Sequence, residues 1–174
     1  LGAMFDRDER QIHSLIRLIE DMLDVSRIRT GKLSIRPVEF DLAQTVRNVA
    51  ENFAQQMAVA GCDLQLDSSD VLYGSWDQFR IEQVISNLLS NALRYGAGRP
   101  IEVRARPDEG GVRVEVRDHG IGISLENQNR IFQQFERAVG SESVAGLGLG
   151  LFISDQIVKA HGGHIEVQSL SLIH

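Results

Sequence analysis

The chain has 174 residues, 43% of them hydrophobic and 24% charged, enough for one folded domain with a sizeable core plus an appendage. A net charge of −6 and a pI near 5.3 exclude a surface built to hold nucleic acid, because phosphate contacts need clustered Lys and Arg. A single cysteine, Cys62, excludes an internal disulfide and a thiolate metal site, and neither a signal peptide nor an apolar run of the ~18 residues that span a bilayer is present, so the expected location is cytoplasmic.

Leu1 to Met4 reads as a cloning remnant and carries no fold expectation. From Asp6 to about Arg29 the spacing predicts a long helix, with Ile12, Ile16, Ile19 and Leu23 recurring every three or four residues and Leu15, Leu18, Met22 and Val25 widening the stripe. Such a face has to be covered, by another chain or by the domain that follows. His13, on this helix, reads as a surface histidine. Thr30-Gly31 ends the helix, and Lys32 to Phe40, interrupted by Pro37, reads as a linker or short edge strand.

Asp41 caps a second amphipathic helix whose apolar face is Leu42, Val46, Val49, Phe53 and Met57 and which Gly61 stops. Short strands are expected at Asp63 to Leu66 and Val71 to Tyr73. Asp77 to Tyr95 is a third helix, with Ile81, Val84, Ile85, Leu88 and Ala92 facing a core. Gln83, Asn87 and Asn91 stack four residues apart on another face, where Asn costs up to roughly 0.7 kcal/mol relative to Ala. A row of amide oxygens followed by Arg94 and Tyr95 suits a hydrated Mg²⁺ carrying phosphates; taken alone, it is equally a solvated helix face.

Ile101 to Arg106 and Val112 to Arg117 alternate apolar and charged residues across Glu109-Gly110-Gly111, which predicts a hairpin with one wet face and a sheet that is at least partly antiparallel. His119 to about Ala145 is long, polar and weakly periodic, the mark of a lid over a site. Leu149 to Ala160 reads as helix and His164 to Gln168 as strand. Two glycine clusters flank the lid, Asp118-His119-Gly120-Ile121-Gly122-Ile123 and Gly146-Leu147-Gly148-Leu149-Gly150-Leu151, and neither has dinucleotide-fold or P-loop spacing. The second offers bare backbone N–H groups at a helix start, fit to meet phosphates. In the first, Asp118 is expected to be a buried carboxylate ending a strand; it accepts hydrogen bonds only and so suits the exocyclic amine of adenine. Singly, each cluster is as well explained by a turn.

In order, the asparagine helix, Asp-x-Gly-x-Gly, a Phe-bearing lid and Gly-x-Gly-x-Gly resemble the ATP-binding domain of sensor histidine kinases, part of the wider ATPase fold shared with DNA gyrase. The resembling segments are Asn87 to Ala92, Asp118 to Gly122, Ile131 to Arg137 and Gly146 to Leu151, while residues 10–35 resemble the second helix of the family's dimerisation hairpin. The resemblance implies an α/β two-layer sandwich, a mixed sheet covered on one face by three helices and preceded by a long N-terminal helix. It divides the chain into a partial hairpin (5–30), a linker (31–40), an ATP-binding kinase domain (41–168) and a possible non-native tail (169–174).

The resemblance also implies ATP and Mg as cofactors, with Asn91 on the metal, Asn87 beside it on the phosphates, and Arg94 and Tyr95 continuing the contact. Asp118 would read adenine, with Gly120, Gly122 and Ile123 passing the purine. Arg137 would reach the γ-phosphate, and Gly146, Leu147, Gly148, Leu149, Gly150 and Leu151 would frame the triphosphate. Asn87 and Arg137 would act in catalysis. Implied partners are ATP, a response regulator or receiver domain, and a second copy through the N-terminal helix; the parent protein would be a candidate for anchoring in a bacterial inner membrane. The family's acceptor histidine is followed by an acid and a proline, which His13-Ser14-Leu15 lacks, so the chain is read as an excised piece without its acceptor. An interaction module that regulates a partner kinase with little ATP turnover is the alternative from another class. A serine kinase of the anti-sigma type shares the ATPase boxes but lacks the dimerisation helix. His161-Gly162-Gly163-His164 supplies only half a zinc shell and is read as a turn.

Overall fold

The protein is described by a computed structural model covering residues 2–69, 71–96, 98–135 and 148–169, with side chains from residue 11 onward. Its elements run α1 (Gly2–Arg29), β1 (Val38–Asp41), α2 (Leu42–Val59), β2 (Leu64–Ser68), β3 (Tyr73–Trp76), α3 (Gln78–Tyr95), β4 (Ile101–Asp108), β5 (Gly111–Arg117), α4 (Leu125–Gln128) and α5 (Gly150–Ala160). The α/β class is as expected: helices pack on a mixed sheet in which β2 lies parallel to β4 and β4 antiparallel to β5. The β4–β5 hairpin turns through Glu109-Gly110, with Asp108 opposite Gly111. A separate antiparallel pair joins β1 to β3, so the 31–40 stretch does end in a short strand.

Local chemistry explains the element ends. The Asp41 carboxylate accepts from Ala43 N–H at 3.0 Å and from Leu72 N–H at 2.8 Å, capping α2 and tying its start to the segment before β3. Asp77 caps α3 through Arg80 N–H at 3.1 Å and also accepts from Arg36 N–H at 2.8 Å.

Two apolar cores result. The larger lies between α2, α3 and the sheet, with Val46, Met57, Leu89, Ile101 and Val103 at its centre. The smaller gathers Val25 of α1, Val84 of α3, and Leu149, Ile153 and Ile157 at and within α5. The C-terminal end of α1 is therefore covered by the domain that follows. Upstream, Ile12, Leu15, Ile16, Ile19, Met22 and Leu23 remain about half exposed.

One expected strand is absent: residues 164–168 pair with no ladder among the described residues. The reason lies at the segment's end, where Ser169 Oγ accepts from Ile123 N–H at 2.7 Å and the Gln128 amide donates to both Ile123 O and Ser169 O. That end is tied to the first glycine loop rather than to a sheet edge. Among the described residues, no helix is long and apolar enough to cross a membrane.

Candidate functional site

Helix α3 carries the polar row, and the structure splits it. Gln83 turns toward α1: its Nε2 donates to Asp24 Oδ2 at 2.8 Å and its Oε1 accepts from Arg80 Nη1 at 2.8 Å. Asp24 is 4% exposed and Arg80 8%, and Arg80 Nη1 reaches both Asp24 oxygens at 2.9 Å. One turn further on, Asn87 faces α5 and donates to Ser154 Oγ at 3.1 Å. Asn91 and Tyr95 follow, half-buried, with Arg94 exposed between them.

The second glycine segment meets this row at Asn87. A Cβ added to Gly150 would overlap the Asn87 amide and push it from its place, so glycine lets α5 begin directly against that side chain. Gly148 has φ +68°, and its carbonyl accepts from Phe135 N–H at 3.1 Å, which brings the end of the described lid to the phosphate-binding candidates. Leu149, placed among the nucleotide contacts by sequence, buries its side chain in the smaller core. Its backbone alone is available to a ligand. Leu151 is half-buried in the first turn of α5.

The first glycine loop wraps the other end of α3. A Cβ on Gly120 would run into the Tyr95 carbonyl, and Asp118 sits against Gly96, the residue that caps the helix. Here one expectation is corrected, since Asp118 is exposed rather than buried. Gly96, at the end of α3, lies against its Cβ, and the side chain is open to solvent among the described residues. Its Oδ1 accepts from Gly120 N–H at 2.9 Å, a turn of the kind Asp commonly makes. Gly122 has φ +73°, and Ile123 is held by Ser169 and Gln128. His119 Nε2 meets Glu102 Oε1 at 3.0 Å, and this hydrogen bond, chief among the causes, holds the Glu102 carboxyl below its ordinary value. Arg137, Gly146 and Leu147 lie outside the described residues.

The site is thus a polar strip along α3 from Asn87 to Tyr95, with a glycine-opened helix at one end and a glycine loop at the other. No group of three or more His, Cys, Asp and Glu among the described residues could hold a metal. A divalent ion here would be bound by amide, phosphate and water oxygens, a donor set that suits Mg²⁺. His161 is structural, since its Nε2 accepts from Asp77 N–H at 3.0 Å and its Nδ1 lies 2.8 Å from Ile157 O. Sequence reasoning missed the Asp24–Arg80–Gln83 cluster and the His119–Glu102 pair. The only signal for the first was a charged residue, Asp24, inside an apolar stripe.

The profile of the family described as "Histidine kinase-, DNA gyrase B-, and HSP90-like ATPase" matches residues 76–171, more than half of the chain. The chain belongs to this ATPase family. Its relatives include the alginate biosynthesis sensor protein KinB of Pseudomonas aeruginosa, 36% identical over 92% of this chain and 27% of KinB. Among solved structures, the histidine kinase AdeS of Acinetobacter baumannii superposes with a TM-score of 0.73 at 26% identity, over 90% of this chain and 72% of that one. Full-length ShkA in complex with AMPPNP gives a TM-score of 0.76 at 25% identity, over 89% of this chain and 34% of ShkA. The chain spans about a quarter of KinB's length, the share being 27%. Within the ATPase family match lie α3, both glycine elements and α5, whereas α1 and α2 precede it.

Proposed function

We propose that this chain is the Mg-ATP-binding catalytic part of a sensor histidine kinase, which passes the γ-phosphoryl group of ATP to a histidine for relay to an aspartate of a response regulator. The observation that carries the reading is the packing of the Gly150 backbone against Asn87, since a helix start left bare of side chains beside an amide row is what a triphosphate needs. In this reading residues 41–168 form the ATP-binding domain and 5–30 the second helix of a dimerisation hairpin.

The residues divide the work by chemistry. Asp118 accepts from the exocyclic amine of adenine; guanine presents an oxygen there and is repelled. The backbone N–H groups of residues 148–151 meet the phosphates at the positive end of α5. Asn87 orients the phosphates, and Arg94, exposed further along α3, adds positive charge. Asn91 would hold Mg²⁺ together with phosphate and water oxygens; when bound, the ion neutralises the charge that develops on the transferring phosphoryl group. Arg137 is proposed to approach the γ-phosphate from the lid. Catalysis of this kind is positioning plus charge neutralisation.

The exposed apolar half of α1 is proposed to pair with a second copy, forming a homodimer. Labelled ATP tests the whole reading. The full-length parent protein should acquire acid-labile phosphate and pass it to a receiver domain, whereas residues 1–174 alone should not label themselves, because His13 lacks the acceptor motif. Acid-labile label on this chain that vanishes in His13→Ala would overturn the assignment of the acceptor elsewhere.

A further inference from the structure

The loop that carries Asp118 is held from two sides. On the helix side, Gly120 lies against the Tyr95 carbonyl, a contact that leaves no room for a side chain. On the sheet side, β5 ends at Arg117, which stands opposite Glu102 in the β4–β5 register, and two residues further on His119 reaches Glu102 as well. Glu102 uses both oxygens: Oε1 meets His119 Nε2 at 3.0 Å, and Oε2 accepts from Arg104 Nη2 at 2.8 Å. A carboxylate only accepts, so Nε2 carries the proton in this contact. Arg99 adds a fourth member, its Nη1 donating to the His119 carbonyl at 3.0 Å.

Beyond the strand residue Arg117 that precedes it, the Asp118 side chain has no comparable tie to the sheet among the described residues. It is exposed, and its carboxylate bonds to Gly120 N–H two residues away, inside the same loop. Where that carboxylate stands is therefore decided by its neighbours. The contact at Gly120 sets the loop against the end of α3, while Arg99 on the His119 carbonyl and Ser169 on Ile123 N–H hold its backbone on either side. The bond from His119 to Glu102 adds a side-chain tie directly beside Asp118, to a strand paired on both sides by its sheet neighbours.

We propose that His119 is a positioning residue for nucleotide recognition: its clasp on Glu102, braced by Arg104 and Arg99, holds Asp118 where it meets the adenine amine. The inference rests on the reading of Asp118 as the purine contact. It adds to that reading a residue that touches no nucleotide and sets specificity through the loop.

Two side chains that differ by one methylene test it. In His119→Gln the amide nitrogen still reaches Glu102, so Mg-ATP affinity and the preference for ATP over GTP should stay within about twofold of the unaltered chain, whereas His119→Asn falls short and should lose about five- to tenfold in affinity, the scale of one ordinary hydrogen bond. The ratio of ATP to GTP affinity should fall with it, which a general loss of stability would not produce. Glu102→Ala should match His119→Asn, and the double variant should be no worse than either single one. Calorimetry on the 174-residue chain reads all of these. Equal ATP affinity and equal ATP preference in the Asn and Gln variants would overturn the inference while leaving the Asp118 reading intact. Failure of the unaltered chain to bind Mg-ATP would instead overturn the reading of the site and this inference with it.

Discussion

The core between the sheet, α2 and α3 and the smaller core among α1, α3 and α5 share a helix but hold different things in place. The first is built from α2, the strands and the buried side of α3, with Leu89 at 0% exposure. The second includes Leu149, which sits between two glycines of the proposed phosphate segment, and Val25, which belongs to a helix outside the matched ATPase region. Its polar margin is the buried Asp24–Arg80–Gln83 cluster. A buried ion pair contributes little net stability, because the desolvation of both charges offsets their attraction, while loss of one partner leaves the other charge buried and unpaired. Helix α3 is thus packed against α2 and the sheet on one side, and against α5 and the end of α1 on the other.

Changes to each side should separate fold from assembly and docking. Ile16→Glu with Ile19→Glu acts on the exposed continuation of α1, where each buried isoleucine is worth about 1.5–3 kcal/mol of association. Sedimentation should show dimer converted to monomer with Mg-ATP binding intact, and an unaltered chain that is monomeric at high concentration would contradict the pairing. Leu89→Ala strikes the first core and should cost about 2–5 kcal/mol, read as a lower denaturant midpoint with binding lost alongside. Asp24→Asn strikes the margin of the second. Because α1 can lift away and let Arg80 reach water, the cost should be about 1–3 kcal/mol of docking rather than of global stability. Faster proteolysis near residues 29–35, with the main unfolding transition unmoved, is the expected sign.

The smallest effect is a pH dependence. Glu102 is held below its ordinary value by the His119 hydrogen bond first and by neighbouring arginines after it. A carboxyl lowered in the folded state stabilises the fold above its unfolded value, and that contribution disappears as pH falls through the lowered folded value. Glu102→Gln should therefore melt below the unaltered chain at neutral pH and approach it in acid. A gap of constant size across that range would contradict the attribution.

Much of this contrast was legible in the sequence. The cap at Asp41, the hairpin around Glu109-Gly110 and the core faces of α2 and α3 follow from local rules, and the structure has them. What local rules could not supply were partners distant in the chain. Gln83 belongs to the amide row by spacing but is claimed by Asp24, 59 residues away. The expected burial of Asp118 failed because a strand end says nothing about what covers it, and among the described residues only Gly96 at the end of α3 lies against its Cβ, with the side chain exposed. Residues 164–168 have the alternation of a strand, yet Ser169 is bound by the glycine loop. Such outcomes depend on which long-range bond wins, and periodicity does not record that.

The most direct measurement for the central claim, an adenine nucleotide site along α3 with Asp118 as its reader, is calorimetry of the 174-residue chain with ATP and GTP in Mg²⁺, repeated on Asp118→Asn. The expected result is clear binding of Mg-ATP, GTP weaker by tenfold or more, about 1.4 kcal/mol, and a loss of ATP affinity of similar size in the variant. Equal affinity for the two nucleotides, or an Asp118→Asn variant that binds ATP as well as the unaltered chain, would contradict it.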